Sequence, residues 1–471
     1  MAIEWAGLGP DVLVRLDRGS RVPLRTQLEG ELRTAIRSGR LRAGERLPST
    51  RELARGLGVS RGLVVDCFDQ LQAEGYLQAR SGSATRVSPT AQTLRRGPIR
   101  AGRTTPASPR PDVDFLPAVP DLGSFPRSEW AKTTAEVCRD ASTAAFDYGD
   151  GRGNPRLREV LASYLGRVRG AAADPGHIVV CSGFTQGLNL TLAVLAAHGV
   201  DRVAFEDPGY DETSRMAVGF AGVGLVRVPV DARGVRVDAL SAARTRAVAV
   251  TPAHQWPTGV VLAARRRLAL VNWAVHAGGW VIEDDYDAEF RYDREPIGVV
   301  QGLAPERVIS IGTVSKSLAP ALRLGWILCP PALVDELAHL KLAADRGTPG
   351  VEQLVLARLI ESGRFDRHLR RMRKKYTAKR SALITALEEY APDVGVHGLA
   401  AGFHAVASLP EGVTEADVVS AARARGVGVY GMSANRSNRA ESPPCLVLGF
   451  GNLSERAIVE GIARIGDLLS P

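Results

Sequence analysis

Leu24, Leu28, Leu32 and Ile36 recur at helical spacing and the run closes at Gly39, so the pattern predicts a helix from about Leu24 to Ser38. A turn-rich stretch follows and ends in Ser49 and Thr50, either of which can cap a short helix through Leu53, Ala54 and Leu57. Gly58 and Val59 break that helix. Ser60 can then cap another, in which Leu63, Val64, Cys67, Phe68 and Leu71 form the buried stripe up to Glu74 and Gly75. Two short helices across a tight glycine-containing turn make a helix-turn-helix. Tyr76 to Val87 alternates around Ser81, Gly82 and Ser83, as a two-stranded wing does. The next stretch, to residue 111, is rich in proline, arginine and small side chains, has no apolar period and reads as a linker, about 60–70 Å long if extended.

From Asp112 onward the pattern changes. Ile178 to Val180, Val203 to Phe205, Leu225 to Val228, Ala247 to Val250, Trp280 to Glu283 and Val308 to Ile311 are short apolar runs separated by helix-length segments. A buried mixed sheet flanked by helices requires this, and its chemistry is then sought at the strand ends.

Composition sharpens the division. A chain of 471 residues, 45% hydrophobic, is too long for one ordinary core. Residues 1–112 hold 19 arginines against 11 acidic residues, a surplus of 8 within a net charge of +9. A small basic unit ahead of a nearly neutral large one points to a polyanion partner, most often nucleic acid. The five cysteines show no short paired spacing, which argues against a zinc site or a disulfide framework and for a reducing cytoplasm. No signal-peptide pattern and no run of about 18 apolar residues appears, so no membrane span is expected.

The candidate chemistry lies at the strand ends. Only six of the 60 basic residues are lysine, and Lys316, in Gly312-Thr-Val-Ser-Lys-Ser-Leu-Ala-Pro-Ala-Leu-Arg-Leu-Gly325, is an amine that can form a Schiff base where a guanidinium cannot. Ser182-Gly-Phe-Thr-Gln-Gly opens a helix, and the N–H groups of Gly183, Phe184 and Thr185 can cradle a phosphate there. Tyr210 ends another strand and can cover a flat ligand. Asp284 and Tyr286 can offer a carboxylate to a pyridine nitrogen and a phenol to a ring oxygen.

The stretch from Pro23 to Ser88 resembles the winged helix-turn-helix of the GntR family of bacterial transcription factors, whose hallmark is matched by Gly44 to Arg61. The resemblance implies that Arg51 meets a DNA phosphate, that Ser60 and Arg61 start the recognition helix in the major groove, and that Gly82 is the wing tip in the minor groove. Gly62 and Val65 depart from more polar relatives, which leaves more of the recognition to phosphate contacts and DNA shape.

The order of phosphate turn, Tyr210, Pro257-Thr-Gly turn, Asp284-x-Tyr286, then Ser315-Lys316 and Arg323 is similar to the fold type I pyridoxal-phosphate enzymes, the aspartate aminotransferase superfamily. Tyr148-Gly-Asp-Gly-Arg-Gly-Asn-Pro, with Tyr164-Leu and Arg169-Gly further on, looks like a motif of the same group. Together the two halves resemble the MocR subfamily of GntR regulators. That resemblance implies an α/β architecture: a winged helix-turn-helix at 21–89, a linker at 90–111 and an aminotransferase-like unit at 112–471, whose large part is about 160–330. It also implies pyridoxal 5′-phosphate as cofactor. Lys316 would form the Schiff base, Asp284 pair with the pyridine nitrogen, Tyr286 bond the ring hydroxyl and Tyr210 stack on the ring. Gly183, Phe184, Thr185, Thr313 and Arg323 would hold the phosphate, and Tyr148 would reach the phosphate of a neighbouring subunit in a head-to-tail homodimer.

Two departures qualify the enzyme reading. Trp256 stands where aminotransferases carry an asparagine on the ring hydroxyl, so His254 or Gln255 substitutes or the contact is absent. The strand Leu446-Val-Leu-Gly-Phe-Gly lacks the arginine that binds a substrate carboxylate, with Arg436 and Arg439 in the preceding loop as replacements. The expected function is a cytoplasmic regulator whose effector is pyridoxal phosphate or its Schiff base with an amine or amino acid. The alternatives are an active aminotransferase tethered to DNA and a DNA-binding protein with an empty pocket.

Overall fold

A computed structural model of the chain describes residues 14–79, 84–89, 111–287, 289–292, 297–438 and 443–470. It divides into two compact units, residues 1–108 and 109–471. In the first, α1 (Leu24–Arg37), α2 (Thr50–Leu57) and α3 (Arg61–Ala73) are followed by the hairpin of β1 (Leu77–Gln78) and β2 (Arg86–Val87). Leu28, Leu32, Leu53, Val64, Phe68 and Val87 meet in one core. Ser49 caps α2 in a capping box, its hydroxyl accepting from the Glu52 N–H at 3.3 Å while the Glu52 carboxylate accepts from the Ser49 N–H at 2.9 Å. Gly58, at φ 62°, ends α2, and the Ser60 hydroxyl caps α3 through the Leu63 N–H at 3.2 Å. Leu63, expected in the buried stripe, is only partly covered. The wing pairs Leu77 with Val87 and Gln78 with Arg86, antiparallel; Gly82 lies outside the described residues.

The second unit opens with β3 (Val113–Asp114), α4 (Arg127–Asp140) and α5 (Pro155–Arg169). An alternating segment follows: β4 (Ile178–Cys181), α6 (Phe184–Ala197), β5 (Arg202–Asp207), α7 (Asp211–Ala221), β6 (Gly224–Asp231), β7 (Gly234–Val235), α8 (Val237–Ala242), β8 (Ala247–Val250), α9 (Ala264–His276), β9 (Trp280–Asp285), β10 (Val308–Thr313) and β11 (Gly325–Leu328). These strands form one eight-stranded sheet in the order β4-β11-β10-β9-β8-β5-β6-β7. All six apolar runs are strands of it. Alternate side chains enter opposite cores, Ala247, Ala249 and Ile282 on one face and Val248, Val250 and Val281 on the other, which is why the runs show no polar alternation. β11 escapes the run pattern: it returns antiparallel between β4 and β10, directly after the Lys316 turn.

The chain ends with α10 (Val334–Asp345), α11 (Gly350–Glu361), α12 (Arg364–Tyr390), β12 (Gly395–His397), β13 (His404–Ser408), α13 (Glu415–Ala424), β14 (Val427–Gly428), β15 (Tyr430–Gly431), β16 (Cys445–Gly449) and α14 (Glu455–Ile465). A second sheet, β12-β13-β16-β15, forms here, and β3 pairs in parallel with β14. No helix among the described residues is long and apolar enough to cross a membrane.

Candidate functional site

The ends of β4, β5, β8, β9 and β10 converge on Lys316, because parallel strands deliver their C-terminal turns to the same edge. Lys316 follows β10, and its ammonium donates to the Ala118 carbonyl at 2.6 Å. Burial lowers its pKa, against the pull of Asp284 and Asp287. Asp284, near the end of β9, is 4% exposed. Burial holds its pKa well above the ordinary carboxylate range, opposed by the neighbouring Tyr210 hydroxyl and by the Lys316 charge. Asp284 Oδ1 is buried with no partner. A buried acceptor left open, among the described residues, beside an amine of lowered pKa fits a ring N–H donor such as a pyridinium.

The anion end lies at α6. Gly183 adopts φ 93° and offers no side chain to the helix start, and a Cβ there would come within 3.3 Å of the Arg323 guanidinium. Arg323, itself at φ 49°, donates to the Ser182 carbonyl. A cation therefore lies against an uncapped helix N-terminus, so the residues present fit a phosphate. Phe184 packs at 5.8 Å from the Tyr210 ring, whereas the Thr185 side chain is exposed. Thr313 is buried and spends its hydroxyl on Ser315 Oγ at 2.8 Å and on the Leu324 carbonyl at 3.2 Å, bracing the lysine turn.

The aromatic wall is built differently from the sequence expectation. Tyr210 lies nearly parallel to Trp256, centroids 5.8 Å apart at 13°. Trp256 also meets His404 edge-on at 5.1 Å. His254 does not enter this wall: its Nδ1 bonds Asp287 Oδ2 at 2.7 Å, and its ring lies 4.6 Å from that of His404, tilted by 35°. The Tyr286 hydroxyl donates to the His254 carbonyl at 3.0 Å. Gln255 braces its own turn, donating to the Pro208 carbonyl at 2.9 Å and accepting from the Thr258 hydroxyl at 2.6 Å. Glu206 anchors the same turn from β5, accepting from the Thr251 N–H at 3.0 Å and hydroxyl at 2.7 Å, and burial pushes its carboxyl up to about 7. Trp256 and Tyr286 share one apolar cluster with Val406, Met432, Cys445 and Val447. Val447, on β16, is fully buried, and no arginine occurs from Leu446 to Gly451. Among the described residues the Arg436 side chain donates to the Pro443 carbonyl, at 3.5 Å, and Arg439 lies outside them.

Two groups stand apart from the Lys316 cluster. Tyr148, 78% exposed, lines an open cleft of about 580 Å³ with Phe146 and the loop 345–350. In the first unit Arg51, Ser60 and Arg61 are exposed at the starts of α2 and α3, and neither arginine is in an ion pair with a described residue. The Ala118 carbonyl, Glu206 and Ser315 were not anticipated. For Ser315 the signal was present, a hydroxyl next to the lysine.

Residues 24–87 match the gntR family of bacterial regulatory proteins and residues 119–464 match class I and II aminotransferases. The two units define a helix-turn-helix regulator carrying an aminotransferase-like unit. The "probable rhizopine catabolism regulatory protein MocR" of Rhizobium meliloti is 34% identical over 95% of this chain and 94% of its own length. The pyridoxine biosynthesis transcriptional regulator PdxR of Corynebacterium glutamicum is 32% identical over 98% of this chain and 99% of its own. Among solved structures, the kynurenine aminotransferase of Pyrococcus horikoshii, in complex with PMP, superposes with a TM-score of 0.69 at 27% identity over 76% of this chain and 90% of that one. The chain belongs to the MocR-type GntR family of transcriptional regulators.

Proposed function

We propose that pyridoxal 5′-phosphate, alone or as its Schiff base with an amine or amino acid, is the effector of this regulator. The observation that carries the reading is the opposed pair at the strand ends, the buried Lys316 amine of lowered pKa and Asp284 with an unpartnered buried oxygen. When bound, the cofactor supplies an aldehyde to the amine and a protonated ring nitrogen to the carboxylate. Asp284 orients the ring, Arg323 and the start of α6 take the phosphate, and Trp256 excludes water from one edge. Regulation follows if the ligand binds two states of the chain unequally, and those states differ in affinity for operator DNA. A homodimer in which Tyr148 serves the partner's site agrees with that residue's exposure.

The second reading, an active aminotransferase, draws on likeness to enzymes such as the aromatic-amino-acid aminotransferase 1 of Thermococcus litoralis, 30% identical over 76% of this chain and 88% of its own length. Val447 disfavours it, because an aminotransferase spends an oriented ion pair on aligning its substrate. The test has two arms. Addition of pyridoxal phosphate should produce a visible absorption band absent in Lys316→Ala and alter the retardation of DNA from the gene's own upstream region. Turnover of about 1 s⁻¹ or faster across a panel of amino acids and 2-oxo acids refutes the regulator-only reading.

A further inference from the structure

The phosphate cradle is held from outside its own turn. Gly183 has no side chain to cap α6, and Gln186, in the first turn, folds back so that its Oε1 accepts from the Ser182 N–H at 2.8 Å. The Gln186 Nε2 donates to Asp345 Oδ2, also at 2.8 Å. Asp345 closes α10, and its carboxylate further accepts from the Lys341 ammonium at 2.6 and 2.9 Å and from the Gly347 N–H at 2.9 Å. Lys341, one of six lysines in an arginine-dominated chain, is fully buried, and among the described residues its ammonium donates to Asp345 alone.

The peptide at Ser182 is thus gripped on both sides, its N–H by Gln186 and its carbonyl by Arg323. Beyond Asp345 the chain turns sharply, with Arg346 at φ 62° and Gly347 at φ 118°, into the loop that lines the cleft beside Tyr148. Gln353 ties the far end of the loop to the Tyr148 motif, donating to the Thr348 carbonyl and accepting from the Asn154 N–H, each at 2.7 Å. An anion at α6 draws on the Arg323 guanidinium and so loosens its grip on Ser182. The resulting shift of that peptide passes through Gln186 to a carboxylate anchored by a buried ammonium.

We infer that Gln186 and Asp345 are positioning residues for the cofactor phosphate, and that they couple occupancy of the cradle to the loop 346–350. The inference rests on the pyridoxal phosphate reading above. In the full-length protein, backbone hydrogen exchange in residues 346–350 is measured with and without pyridoxal phosphate, and again with inorganic phosphate. Ligand should slow loop exchange several-fold. Gln186→Leu, which leaves the Lys341–Asp345 pair intact, should weaken ligand binding about tenfold, the worth of one hydrogen bond to an anion-holding turn, and abolish the ligand-dependent protection. Asp345→Asn should do the same, and Asp345→Glu should restore part of both; if Asp345→Asn does not fold, Gln186→Leu decides. Unchanged affinity in Gln186→Leu, or loop protection that persists in it, overturns the coupling. A wild-type protein that takes no pyridoxal phosphate overturns the cofactor reading instead, and the inorganic phosphate arm then decides the coupling by the same criterion.

Discussion

Replacing Glu206 by glutamine asks whether the turn that carries Trp256 rests on a protonated or an ionised carboxyl. Glu206 is 6% exposed, and Thr251 contributes two donors to one of its oxygens. Those donors favour the carboxylate, but burial outweighs them and raises the pKa from its ordinary 4.5 to about 7. A carboxyl with a raised folded-state pKa binds its proton more tightly in the native chain than in the unfolded one. Its contribution is therefore complete below pH 4.5 and falls as pH rises towards 7. A shift of this size is worth about 3 kcal/mol in full, of which about 2.5 kcal/mol is lost between pH 5 and 8. Glu206→Gln keeps an acceptor for Thr251 and cannot ionise. Urea denaturation of the full chain, followed by tryptophan fluorescence, reads the second unit, which holds Trp130, Trp256, Trp273, Trp280 and Trp326. Glu283 and Glu289 are also pushed up to about 7 by burial, so both proteins lose stability with pH. The stability of the variant relative to wild type should rise by about 2.5 kcal/mol from pH 5 to pH 8. Two parallel curves refute the reasoning.

Asp284→Ala removes the buried carboxyl proposed to pair with the ring nitrogen and should weaken pyridoxal phosphate binding roughly 10- to 100-fold in an absorbance titration, with unchanged affinity counting against that role. Gly183→Ala places a methyl against the Arg323 guanidinium at a φ that L side chains rarely adopt; it should weaken binding of phosphate-bearing ligands more than of pyridoxal, and equal losses would separate the cradle from the phosphate. Arg61→Ala should cost about 1–3 kcal/mol in specific DNA binding by gel retardation, with affinity of the wild type falling steeply from 50 to 200 mM salt, about those used to separate phosphate contacts from base contacts. Salt-independent binding refutes a phosphate-dominated interface.

The helix-turn-helix was legible because its signals are local: Ser49 and Ser60 cap within three residues, Gly58 ends α2, and α3 buries one stripe. The central strands were legible because both faces of the sheet are covered. β11 was not, since it directly follows the lysine turn and no α-helix separates it from β10, as the alternating pattern would require. In the site, Lys316, Asp284, Tyr210 and Arg323 could be singled out from their places at strand and helix ends. Gln186–Asp345 and Lys316–Ala118 span 159 and 198 residues of sequence, and no spacing rule reaches that far. The sequence leaves open whether His254, Gln255 or no residue replaces the missing asparagine, because the pairing of His254 with Asp287 needs the turn after β8 folded against the end of β9.

Trp256 and Val447 share a consequence that neither carries alone. At one end of the site stand the polar groups proposed to hold a cofactor, Lys316 and Asp284 with Arg323 at the start of α6. At the other end, Trp256, Met432, Cys445 and Val447 pack into one buried apolar cluster. Ground-state binding needs only the first set. Turnover of an amino acid needs, in addition, an interaction that fixes the bond to be broken and strengthens towards the transition state. An apolar wall gives an α-carboxylate nothing to pair with and charges it for lost hydration. Holding a cofactor and transforming an amino acid thus call on different residues, and the ligand-reporting role proposed for this chain with its DNA-binding unit needs only the first set.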